Sequence, residues 1–76
     1  MQIIRESRET VKGIGAKIRE ARLASGCPVR DLAEATGISH GFWFDCEKER
    51  RAIRLETLRK MEQVLGVTLY EEKNDG

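Results

Sequence analysis

The sequence predicts an all-α domain, a compact bundle of four to five short helices preceded by a short N-terminal arm. Three observations lead there. Leu55, Leu58, Met61, Val64 and Leu65 recur at steps of mostly three and four, the spacing of one helical face. Gly26 and Gly66 each follow such an apolar run and punctuate it. Between them, residues 29–47 (VRDLAEATGISHGFWFDCE) read as two short helices joined by a tight turn.

Residues 1–12 form the arm. Ile3, Ile4 and Val11 are its large aliphatics after Met1, and Arg5, Arg8 and Lys12 alternate with Glu6 and Glu9. The β-branched pair favours a short strand over residues 2–4, which could pair with its own copy in a dimer. A mobile terminus and a basic arm laid along DNA are the other two readings. Helix one is expected over residues 14–24, with Ile14, Ile18 and Ala21 inward and Leu23 a further candidate for that stripe. Helix two is expected over residues 28–36, where Pro28 suits a first turn whose amide would be unpaired and Asp31 suits the helix dipole.

The turn follows. Ala33 is small where two steeply crossing helices meet, and Gly37 accepts the positive φ of a sharp reversal without a Cβ penalty. Ile38 plugs the core, and the Ser39 hydroxyl is placed to cap helix three, expected over residues 40–48. Trp43 and Cys46 point back to the core with Ile38. The arrangement is a helix-turn-helix, which places its second helix in a DNA major groove. A basic loop, residues 48–54, leads to helix four over residues 55–65. Thr68 is a candidate cap for a short fifth helix through Glu71, and a polar tail closes the chain. The domain reading is an arm at 1–12, a helix-turn-helix domain at 13–71 and a tail at 72–76.

Composition removes several classes. A chain of 76 residues buries only about 60% of its unfolded surface, so its stability margin is thin. Cys27 and Cys46 have no histidines or further cysteines at metal-ligand spacing, so no metal and no cofactor are expected. His40 has no nucleophile or carboxylate constellation around it, and there is no Gly-rich phosphate loop, so an enzyme is not expected. No apolar run approaches the ~20 residues of a membrane span, and charges interrupt the N-terminal stretch where an export signal needs an apolar core. Two free thiols and these absences lead to the expectation of a cytoplasmic protein.

Net charge is only +1, but its distribution is uneven. Residues 48–60 hold six basic and two acidic side chains; residues 61–76 hold four acidic and one basic. A basic face and an acidic end follow from that separation.

The ordered set Ile18, Arg22, Gly26, Leu32, Ala33, Gly37, Ile38, Ser39, Glu47, Leu55, Leu58, Leu65, Gly66 and Val67 resembles the Cro/phage-repressor (XRE) family of helix-turn-helix domains. The likeness covers roughly residues 14–70. It implies a transcriptional regulator that binds double-stranded DNA as a homodimer on a pseudo-palindromic operator, with two recognition helices entering major grooves ~34 Å apart. It implies an ion pair between Arg22 and Glu47 that ties helix one to the end of the recognition helix. It puts His40, Gly41, Phe42 and Asp45 toward bases, and Arg30, Lys48, Arg50, Arg51 and Arg54 on phosphates. Arg54 can also reach a minor-groove edge. Leu69 and Tyr70, together with Ile3 and Ile4 of the arm, are the dimer candidates, with completion of the core as the alternative for Leu69 and Tyr70.

Three positions depart from the family pattern. Val29 stands where many members carry a hydrogen-bonding glutamine. Glu49 stands where a glycine usually makes the turn after the recognition helix. The base-facing set is poor in bidentate donors and includes Asp45, which repels phosphate. The alternative function is therefore a protein-interaction module, such as an antitoxin or adaptor, that uses the Phe42 and Phe44 face for a protein partner.

Overall fold

The computed structural model describes residues 1–6 and 8–72. Four helices carry the fold: α1 (Ile14–Ser25), α2 (Val29–Thr36), α3 (His40–Glu47) and α4 (Leu55–Leu65). Three short strands join them: β1 (Gln2–Ile4), β2 (Arg8–Thr10) and β3 (Ile53–Arg54).

The sheet corrects the all-α expectation. Its order is β2-β1-β3, with β1 antiparallel to β2 and parallel to β3. The central register pairs Ile3 with Glu9 on one side and with Ile53 on the other. Both edges of β1 are taken within the chain, which also corrects the idea that residues 2–4 pair with a second copy. The physical reason is burial: Ile3 and Ile53 are each 1% exposed and pack into the helical core. Strands of two and three residues are too short for an alternating pattern to stand out in sequence.

The core gathers Ile14, Ile18, Leu32, Ile38, Trp43, Cys46, Leu58 and Met61 from the helices. Trp43 is fully buried, and its indole N–H has no hydrogen-bond partner among the described residues. Helix boundaries follow local chemistry. Pro28 caps α2 from outside, its carbonyl accepting the amides of Asp31 and Leu32. Thr36 Oγ1 donates to the Leu32 carbonyl at 2.7 Å and accepts the Ile38 amide at 3.2 Å, bracing the turn from both sides. Gly37 takes φ 72 there. Ser39 accepts the Phe42 amide at 3.3 Å and so caps α3.

The expected fifth helix does not form; residues 68–72 carry no helix. The Glu62 carboxylate accepts the Leu69 and Tyr70 amides at 2.7 and 3.0 Å, using donors that a new helix would leave open. Arg59 donates to Glu62 and to the Tyr70 carbonyl, both at 2.7 Å. The Tyr70 hydroxyl donates to Glu9 of β2, linking the C-terminal segment to the sheet. Leu69 and Tyr70 are 3% and 5% exposed, so their apolar surface completes the core of their own chain. Of the polar tail, residues 73–76 lie outside the described residues.

Candidate nucleic-acid interface

The site is built on α3 and the loop that leaves it. An eight-residue helix, two turns long, buries Trp43 and Cys46 and turns its other side outward. His40 and Gly41 are exposed, and Phe42 and Asp45 are half-buried. Burial pushes the Cys46 thiol up to about 12, so it sits in the core as a neutral side chain.

Arg22 ties this helix to α1. Its Nε donates to Glu47 Oε2 at 2.6 Å and an Nη donates to Oε1 at 3.0 Å, a bidentate pair. The Glu47 side chain is only 6% exposed. The hydrogen bond to Glu47 holds the Arg22 guanidinium above its ordinary pKa.

The chain leaves α3 through Glu49, the one non-glycine residue with positive φ among the described residues, at 54°. A glutamate thus sits in the left-handed region that favours glycine, and its carboxylate is engaged by two donors. It accepts the Met1 amino group at 2.6 Å and the Gly15 amide at 3.3 Å. The Met1 contact holds the Glu49 carboxyl below the usual carboxylate range, assisted by the Gly15 and Gly13 amides. The loop is then gripped by the sheet, with Ile53 and Arg54 paired to Ile3 and Ile4. The N-terminal strand therefore sets the path of the basic loop.

The residues expected to contact DNA fall into three groups. Arg30 and His40 line one shallow groove over the turn, with Ile38 and Ser39 between them. Phe42, Asp45 and Arg51 come together: the Arg51 guanidinium lies 4.8 Å from the centre of the Phe42 ring, and its Nε is 4.0 Å from Asp45 Oδ2. Lys48 lies in a third place, a groove shared with Arg19, Arg22, Phe44 and Glu47. Arg50 and Arg54 are exposed along the loop. Arg19 adds a further cation to this groove. Its spacing of three from Arg22 on one helix was the available signal.

A family model described as helix-turn-helix matches residues 18–71. The chain belongs to the Cro/phage-repressor (XRE) helix-turn-helix family. No curated protein and no solved structure matches it. The matched segment holds the whole helix-turn-helix, the basic loop and α4, and starts after the N-terminal hairpin. This family is one of DNA-binding regulators and not of enzymes. As a member, the chain is a DNA-binding regulator of the XRE type. No described helix is long and apolar enough to cross a membrane.

Proposed function

We propose that this helix-turn-helix protein represses transcription, most simply of its own gene, by occupying a pseudo-palindromic operator as a homodimer in the cytoplasm. The observation that carries the reading is the exposed basic loop fixed directly behind the recognition helix. Arg50 and Arg54 are both exposed, on a backbone held by β1 and Glu49. Cations on a preset backbone can neutralise phosphates without first ordering a loop, and phosphate contacts fix the register of a helix in the groove. Arg30, Lys48 and Arg19 widen the positive rim. His40, Gly41, Phe42 and Asp45 face the bases in this reading.

The homodimer draws on surface other than Ile3, Leu69 and Tyr70, which are buried within the protomer. Val67, 40% exposed just past α4, is the apolar residue at hand near that end. The test is a fluorescence-anisotropy titration against random-sequence duplex and against the DNA upstream of the gene, at two salt concentrations. Tight binding that weakens steeply with salt and prefers the upstream DNA supports the reading; no binding to either duplex at low salt overturns it.

A second reading, a protein-interaction module such as an antitoxin or adaptor, draws on Phe44. This aromatic on α3 is 42% exposed, with Arg22 positioned 5.7 Å over its ring. Phe42 contributes less to such a surface, because Arg51 covers it. A monodisperse protein with operator affinity counts against a partner on this face.

A further inference from the structure

We propose that Arg51 reads a base, a guanine in each half-site, with Asp45 as its positioning residue. The proposal deepens the DNA-binding reading and rests on it.

Arg51 lies outside α3, yet its side chain folds back across the helix. Phe42 and Asp45, three residues apart, stand on one face of α3, and the guanidinium meets both. The two contacts constrain it differently. The Phe42 ring supplies a flat apolar support for a planar cation. Asp45 Oδ2 approaches from the Nε side, at 4.0 Å. Among the described residues no hydrogen bond engages the two terminal nitrogens, and the Arg51 side chain is 49% exposed. A supported guanidinium with two free, parallel N–H donors matches guanine O6 and N7 in the major groove.

A phosphate anchor calls for different surroundings. It profits from an uncompensated cation, whereas a carboxylate beside Arg51 cancels part of its charge toward the backbone. Its neighbours Arg50 and Arg54 have no such partner among the described residues and suit phosphate better. The arrangement also explains how Asp45 is tolerated on a face turned toward DNA. Arg51 beside it offsets part of its charge toward phosphate. Gly41, exposed and with nothing within 4 Å of where a Cβ would stand, leaves the base edges room to approach.

The test begins with selection of preferred duplexes from a randomised library by the full chain. Every base pair of the best half-site is then substituted, and affinities are measured for wild type, Arg51→Lys, Arg51→Ala and Asp45→Asn. Thermal melts establish that the variants fold. Arg51→Lys keeps the charge but loses the fork. The expected result is that it loses about tenfold discrimination at one G·C position while its salt dependence stays that of wild type. Asp45→Asn loses part of the same discrimination at the same position. The proposal is overturned if Arg51→Lys discriminates like wild type and Arg51→Ala weakens all duplexes equally, with a salt slope shallower by about one; Arg51 is then a phosphate anchor, and the DNA-binding reading stands. Absence of duplex binding by the wild type overturns both.

Discussion

Gly15 lies directly against the backbone of Glu47: a Cβ on Gly15 would stand 2.5 Å from the Glu47 carbonyl oxygen. It would also stand 2.8 Å from the Cys46 carbonyl. Glycine here lets the start of α1 touch the end of α3, which fixes how far the recognition helix projects. Gly15→Ala therefore forces backbone apart and should lower unfolding free energy by about 2 kcal/mol or more in urea titrations. Gly41 is the internal contrast, with open space around it. Gly41→Ala should raise stability by roughly 0.5–1 kcal/mol, as alanine does in a helix, and should lower duplex affinity if that space admits DNA. A stabilised Gly15→Ala variant would show that the two helices separate at no cost.

Glu62 makes stability depend on acid. Burial by itself would raise its pKa, but donation from Arg59 and from the Leu69 and Tyr70 amides outweighs burial and holds it below the ordinary carboxylate value. The unfolded carboxyl titrates near ~4.3. A lowered folded pKa contributes stability that is present above that value and is lost as pH falls through the folded one. Wild type should lose stability below about pH 4, and Glu62→Gln should flatten that part of the curve. At neutral pH Glu62→Ala should cost about 1–3 kcal/mol, because two amides lose their acceptor. Denaturant midpoints across pH 3–7 check both statements (roughly the window set by the carboxylate reference value).

The N-terminal hairpin should control the DNA-binding loop through Ile3. Ile3→Ala opens a cavity where β1 meets Ile53 and should cost about 2–5 kcal/mol. Hydrogen exchange should rise first at the amides of β3 and the adjoining loop. Unchanged protection there would mean that the strand only covers the core and leaves the loop independent.

Much of this fold was legible in sequence because helices announce themselves over several turns. α4 has a five-residue apolar stripe, and the α2–α3 turn has Gly37 and Ser39 in fixed order. The strand over residues 2–4 was legible from its β-branched pair, but its pairing with β3 was not, because that joins residues some fifty apart and a two-residue strand has no period. The C-terminal segment forms no helix, although Thr68 looks like a cap, because the deciding group, Glu62, lies six residues earlier inside α4. At the site, residue types indicated which side chains face outward. Only the geometry shows that Arg51 returns to Phe42 and Asp45, since loop conformation is fixed by long-range contacts and not by local preference.

The two cysteines should separate cleanly under thiol reagents. Cys27 is exposed and Cys46 is buried, with its thiol pushed up to about 12. Native protein should react quickly at one thiol and denatured protein at two. A thiolate is the reactive form, so Cys46, buried and held as the neutral thiol, should stay unmodified in the native protein. Fast modification of both in native protein would mean that α3 opens readily.

Arg22 and Glu47 supply the remaining prediction, and it concerns coupling. Arg22→Ala leaves the Glu47 carboxylate, 6% exposed, without its charged partner and should cost roughly 3 kcal/mol. Glu47→Ala strands a guanidinium that is 15% exposed, which finds water more easily and should cost less. The double variant removes both charges, so its cost should fall short of the sum of the two single costs by about 1–3 kcal/mol. Urea titrations of the four proteins close the cycle. Additive costs would place the two side chains in separate surface roles, and α3 would then be held to α1 by the contact of Gly15 with the α3 backbone and by core packing.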